Sequence, residues 1–224
     1  MTDLILHQYA LSPYSKKVIS IFAFKNLAWQ AVEQPVIAPK PDLTPLTGGY
    51  RKIPVLQIGA HIYCDTKLII REIEKRHPDT PLTPPAILGA AELLADWADY
   101  RLFSHAAAPS IFEIGELVPK DFLADRAAMQ RAEVLAAALP IDHVKEQFVL
   151  DLQMINRQLE ATPFMLGDRF TLADAATFHV LNFACSAPSL AAEVSKHPAI
   201  AKWLKGILDM GEGHRSDIQP ADAL

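Results

Sequence analysis

Cysteine is nearly absent from this sequence: Cys64 and Cys185 are the only two among 224 residues. Neither has a histidine or a second cysteine at a metal-ligand spacing, which excludes a disulfide-stapled scaffold and a zinc module. Isolated cysteines in apolar surroundings read as small buried hydrophobes. The eight histidines are scattered and form no H-E-x-x-H pair, so no metal is expected. No apolar run approaches the roughly 18 residues of a membrane helix, so no membrane partner is expected. The start, Met1-Thr2-Asp3-Leu4, has no basic segment followed by an apolar core, and a cytoplasmic location is expected. Nor is charge of one sign concentrated. The net charge is -5 with acidic and basic residues interspersed, unlike the Lys/Arg stripe of a nucleic-acid surface. Internal repeats and low-complexity tracts are missing too.

What is present is apolar substance: 50% of residues are hydrophobic and 21% charged, enough for packed cores. The first eighty residues mix periods. Leu4 to Tyr9 is an apolar run of strand length. Ser12-Pro13 then reads as a helix start, serine being a favoured N-cap and proline suiting the first helical position. Val18, Ile21 and Phe22 follow at spacings of three and four. Ala28 to Gln34 reads as a strand, and Val36 to Gly49 as a proline- and glycine-rich loop. Ile53 to Ile58 and His61 to Cys64, around Gly59-Ala60, suggest a β-hairpin. Asp65-Thr66 opens a helix that His77-Pro78 ends. The order strand, helix, strand, loop, hairpin, helix predicts an α/β thioredoxin-like domain over 1–80, with a mixed four-stranded sheet.

Beyond Pro78, Pro81, Pro84 and Pro85 the strand signals vanish, and this proline cluster marks a domain boundary. Helices are expected at 86–107, 121–138, 141–161, 171–183 and 198–210. The remainder, 86–224, is thus expected to be an all-α domain.

Four motifs carry chemistry. Ser12-Pro13-Tyr14-Ser15 at the strand-to-helix turn resembles the glutaredoxin C-P-Y-C motif with hydroxyls in place of both sulfurs. With Lys17-Val18 it also resembles the S-P-F-x-x-K/R-V run of serine-type, bacterial-like glutathione S-transferases. Arg51 to Leu56 matches that family's K-V-P-V-L element, whose proline is cis. Cys64-Asp65-Thr66 stands where the family has E-S or D-S. Leu166 to Asp174 resembles its G-x-x-x-T-x-A-D folding motif. The four stand in the family's order and span most of the chain.

The resemblance implies a dimeric enzyme with glutathione as co-substrate. Ser12 takes the position of the catalytic serine, which donates a hydrogen bond to the thiolate; its other role is to cap the helix, and one hydroxyl can do both. Ser15 and Tyr9 are the competing hydroxyls. Lys52 would meet the glycyl carboxylate. The Ile53 backbone beside Pro54 would pair with the cysteinyl backbone, and Asp65 and Thr66 would hold the two ends of the γ-glutamyl group. Tyr100, Phe103 and Phe112, with Trp97, are candidate walls of a pocket for a hydrophobic electrophile, with core packing as the alternative. Thr171 and Asp174 form a shortened capping box.

Two other functions share these residues. One is a non-catalytic glutathione-binding or protein-interaction module, for which the irregular stretch from Ser110 to His143 is a candidate partner surface. The other is a glutathione-dependent thiol–disulfide oxidoreductase, against which the missing sulfurs at Ser12 and Ser15 speak; Cys64 is the nearest thiol.

Overall fold

A computed structural model describes residues 4–115, 118–129 and 140–223. The chain divides into two compact units: Met1–Leu82 together with Met210–Leu224, and Thr83–Asp209.

The first unit is a sheet with helices. Its elements are β1 (Leu4–Gln8), α1 (Pro13–Phe24), β2 (Ala28–Glu33), the single turn α2 (Thr44–Thr47), β3 (Val55–Ile58), β4 (His61–Cys64) and α3 (Thr66–Arg76). β1 runs parallel to β2, and β3 is antiparallel to both β1 and β4. The strands β1 and β2 are buried along most of their length: Leu4 and Leu6 of β1 and Trp29, Ala31 and Val32 of β2 are all buried, as are Val18, Ile21 and Phe22 of α1 and Ile69 and Ile73 of α3. Such a core drives folding by removing apolar area from water. The ends of α1 and α3 are tied by one buried lysine. Lys25 Nζ lies 2.6 Å from Glu74 Oε1 and donates to the carbonyls of His77 (2.8 Å) and Thr80 (2.6 Å).

The expected four-stranded sheet has a fifth strand. His214–Asp217 (β5) pairs in parallel with β2, giving the order β4-β3-β1-β2-β5. The tail that the sequence reading assigned to the helical domain therefore belongs to the sheet unit. Its four residues are polar and exposed, so no apolar alternation announces it. Backbone pairing and local contacts hold it instead. Trp29 Nε1 donates to the Glu212 carbonyl at 2.6 Å, Lys16 Nζ pairs with Glu212 at 2.7 Å, and the Gln57 amide donates to the Ala223 carbonyl at 2.7 Å. Gly213 makes the close approach possible. Its φ is +72°, and a Cβ there would lie 2.7 Å from the Leu27 carbonyl oxygen, which only glycine avoids.

The second unit is helical. One continuous stretch comprises α4 (Leu88–Asp96), a wide π turn (Trp97–Leu102) and α5 (Phe103–Glu113), with Pro109 inside the last. It is followed by α6 (Phe122–Ala128), α7 (Ile141–Ala161), α8 (Leu172–Ala184), α9 (Pro188–Ser195) and α10 (Pro198–Asp209). Of the helix expected at 121–138, the part from 130 on lies outside the described residues. The helix α9 lies outside the expected set; at eight residues it is too short to show a clear helical period.

At the heart of this unit α8 is buried along most of its length. Its start is fixed by Asp174, which is itself fully buried. Asp174 Oδ2 accepts from the Thr171 N–H and hydroxyl, both at 2.9 Å, and Oδ1 accepts from Met165 N–H (2.8 Å) and Trp203 Nε1–H (3.0 Å). The expected capping box is thus also the joint between the 162–171 turn, α8 and α10.

Candidate functional site

Strand register gathers the sequence-predicted residues. His7 of β1 lies opposite Val55 of β3, and Val55 lies opposite Cys64 of β4. The chain leaving β1 at Tyr9, entering β3 at Ile53-Pro54 and leaving β4 at Asp65 therefore meets at one end of the sheet. At that same end α1 and α3 begin. The positive ends of two helices make it favourable for negative charge.

Ser12 caps α1. Its backbone is extended (φ -75°, ψ 112°), its Oγ accepts the Ser15 N–H at 3.2 Å, and its own N–H donates to the Tyr9 carbonyl at 2.9 Å. The residue is only 2% exposed. Its hydroxyl hydrogen remains available for a second bond, as a hydroxyl donates and accepts at once. The Ser15 side chain is fully buried, and its hydroxyl has no hydrogen-bond partner among the described residues. Tyr9 packs with Tyr50, Ile62 and Cys64 on the buried cluster Leu43, Ile53 and Val55, so it is a packed aromatic.

Ile53 is 8% exposed. The Ile53–Pro54 peptide bond is cis. No hydrogen bond engages the Ile53 backbone among the described residues. Lys52 is exposed and Arg51 half-buried. Asp65 has φ 76° and ψ 132° and its Oδ1 accepts the Lys67 N–H at 2.8 Å, capping α3. A non-glycine residue in that region costs of order 1–3 kcal/mol, and such strain concentrates at ligand clamps. Thr66 is the first residue of α3 and is 8% exposed. Cys64 is half-buried; burial, then the Asp65 carboxylate, push its thiol above the ordinary value. That makes it a poor thiolate.

Two residues at this end escaped the sequence reading. Glu33 ends β2 and pins the loop leading to Ser12: Gln8 Nε2 donates to Glu33 Oε2 at 2.7 Å and Ala10 N–H to Oε1 at 3.2 Å. Lys40 is buried, donates to the Pro35 carbonyl and holds its ammonium 5.6 Å from the Tyr9 ring centroid. Only the oddity of a lysine between Pro39 and Pro41 marked it.

In the helical unit, Tyr100 (59%) and Phe112 (82%) are exposed, whereas Phe103 (3%) is not. The Phe103 ring packs in the helical core, tilted against the His179 ring at 6.1 Å and the Phe183 ring at 6.2 Å. Among the described residues no group of three or more His, Cys, Asp or Glu gathers as a metal ion requires, and no helix is long and apolar enough to cross a membrane.

A thioredoxin-like sheet unit with two helix N-termini over its polar end, plus a helical unit, defines a glutathione transferase fold. Comparison with known proteins agrees. The family description "glutathione S-transferase, N-terminal domain" matches residues 6–81, and "glutathione S-transferase, C-terminal domain" matches residues 127–206. Among solved structures, a GST-like protein from Pseudomonas syringae is 36% identical over 100% of this chain and 73% of its own, with a TM-score of 0.81. A glutathione S-transferase from Methylobacterium radiotolerans, solved in complex with glutathione sulfonate, is 25% identical over 99% and 94% of the two chains, with a TM-score of 0.66. One from Rhodospirillum rubrum shares the fold at 19% identity, over 91% and 87% of the two chains and a TM-score of 0.68. No curated protein matches in sequence. The chain belongs to the glutathione S-transferase family.

Proposed function

We propose that the protein binds glutathione at the polar end of the sheet, lowers the pKa of its thiol and conjugates it to a hydrophobic electrophile. The observation that carries this reading is the position of Ser12, at the N-terminus of α1, with its Oγ accepting the Ser15 N–H and donating to no group among the described residues. A free thiol near pKa 8.5 is only a few per cent ionised at neutral pH. Each unit of depression needs about 1.4 kcal/mol of preference for the thiolate. A hydroxyl donating to that charge supplies ~1.5–3 kcal/mol, and the helix end ~0.3–1 kcal/mol. Together these suffice for one to two units.

The remaining roles follow the resemblance. Ile53, beside Pro54, pairs through its backbone with the cysteinyl residue, Lys52 meets the glycyl carboxylate, and Asp65 and Thr66 hold the γ-glutamyl ammonium and carboxylate. Tyr100 and Phe112, exposed in the helical unit, are the candidates to contact the acceptor. A cytoplasmic homodimer in detoxification completes this reading, without metal, nucleic acid or membrane.

A second reading is favoured by one observation: Ser12 is almost wholly buried and already serves as a cap. In that case the protein binds glutathione without conjugating it. Retention on glutathione-agarose followed by conjugation of a chlorodinitrobenzene separates the two. Retention with turnover lost in Ser12→Ala supports the transferase. Retention without turnover, indifferent to Ser12→Ala, supports the binding module. Reductase activity abolished by Cys64→Ser would overturn both.

A further inference from the structure

The segment that adds the fifth strand also reaches the start of α1. Glu212 pairs with Lys16 Nζ at 2.7 Å, and the Lys16 backbone N–H donates to the Ser12 carbonyl at 3.2 Å. Lys16 therefore joins Ser12, one helical turn before it, to the segment. Gly213 lies against the other end of α1: a Cβ there would stand 3.2 Å from the Phe22 carbonyl oxygen and 2.7 Å from that of Leu27. β5 then follows β2, with His214 N–H donating to the Leu27 carbonyl at 2.8 Å and Ile218 N–H to the Ala31 carbonyl at 3.0 Å. Beyond it the Gln57 amide of β3 holds the carbonyl of buried Ala223. Yet little apolar surface secures the strand. Its four residues are polar and exposed, and the Lys16 and Glu212 side chains are 30% and 33% exposed; ion pairs so open to solvent hold weakly. Segments of this kind open locally while the core stays folded.

We propose that residues 212–223 form a strap that opens and closes over α1 and β2, and that glutathione bound at the start of α1 closes it. The inference rests on the glutathione-binding reading above. With the strap closed, Glu212 holds Lys16, and through it the first turn of α1 and the Ser12 backbone, in one place. With the strap open that hold is lost, and the groups that would meet the peptide are less well placed. A ligand that needs those groups in position binds the closed form better, which is the differential affinity that a shift of population requires. The coupling is reciprocal, so the closed form is also the tighter-binding one. If only the closed form binds, glutathione at about 100 times its Kd lowers the opening of the strap up to about 100-fold, following 1 + [L]/Kd. Lys16 is a positioning residue: it touches the strap and the Ser12 backbone and takes no part in the chemistry.

The test is amide hydrogen exchange of the full chain, with and without reduced glutathione, read at His214 and Ile218. Both amides donate to the edge of β2 and are released only when the strap opens. Without glutathione they are expected to exchange faster than the amides of β1, as local opening demands. Glutathione at about 100 times its Kd is expected to slow them at least about tenfold. Glu212→Gln is expected to speed their exchange and to reduce the slowing by glutathione to less than about threefold, because the tie to α1 is gone. Lys16→Gln breaks the same pair from the other side and should do the same. Calorimetric binding of glutathione to each variant reports that its site is folded. Bound glutathione that leaves His214 and Ile218 unchanged, exchange at these amides as slow as in β1, or slowing that persists undiminished in both variants would overturn the inference and leave the binding reading standing. A wild type that binds no glutathione overturns both.

Discussion

Replacing Asp174 by alanine should unfold the helical unit at markedly lower denaturant. The carboxylate is fully buried and accepts four hydrogen bonds, from Met165 N–H, Thr171 N–H, Thr171 Oγ1–H and Trp203 Nε1–H. Alanine leaves all four donors unmet and removes the capping box. Losing a cap costs about 0.5–2 kcal/mol, and each buried donor left unsatisfied about 1–3 kcal/mol. Part is returned, because burial holds the Asp174 carboxyl above its ordinary value despite its four donors. A net loss of about 3–5 kcal/mol follows, in the range for a broken buried polar network. Asparagine keeps the shape and one acceptor oxygen, and should lose roughly half as much. Urea unfolding followed by circular dichroism measures both. The pH dependence has a defined sign. A carboxyl whose folded pKa is raised gives its full stabilisation below the unfolded value and loses it as pH rises through the folded one. The stability gap between wild type and Asp174→Asn should therefore narrow over that interval. A loss under about 1 kcal/mol for Asp174→Ala would refute the assignment of this residue as the joint of the unit.

Further outcomes follow from the sheet unit. His7 is buried, with Nε2 2.9 Å from Gln57 Oε1 and Nδ1 3.3 Å from Gln34 Nε2, and burial holds it below the ordinary imidazole value although the Gln57 bond opposes this. The unfolded chain is protonated first, so stability should fall as pH drops below about 6.5, by up to ~1.4 kcal/mol per unit, and His7→Gln should flatten that slope in pH-dependent urea melts. Gly213→Ala should cost about 1–3 kcal/mol and release β5, read as faster amide exchange in 28–31, since both its φ of +72° and the Leu27 carbonyl forbid a side chain. Glu33→Gln should weaken glutathione binding by calorimetry more than it lowers the melting temperature, because it loosens the loop that ends at Ser12; an unchanged affinity would count against that positioning role.

Residues 4 to 76 were legible as an order of elements, because short apolar runs, Ser12-Pro13 and Asp65-Thr66 are local signals of strands and caps. The convergence of Ser12, Ile53 and Asp65 was not local. It came from the resemblance, and its physical cause is strand register between residues about fifty apart in sequence. The fifth strand stayed hidden because His214–Asp217 carries no apolar face, its stability lying in backbone pairing and in Glu212, Trp29 and Gly213. Phe103 could not be told from Tyr100 and Phe112 by spacing on one helix; only packing against Phe183 and His179 separates it. Glu33 and Lys40 were invisible for a related reason: a charged residue at a strand end or in a proline-rich loop looks solvated until its partners are known.

The account turns on whether the hydroxyl of Ser12 stabilises a bound thiolate or serves only α1. Titrating the thiol of protein-bound glutathione, followed by thiolate ultraviolet absorbance, asks this directly. The account predicts a pKa at least about one unit below the free value near 8.5, returning to within roughly half a unit of it in Ser12→Ala while the peptide stays bound. A bound thiol that titrates like the free peptide, or a depressed value that Ser12→Ala leaves unchanged, would contradict it.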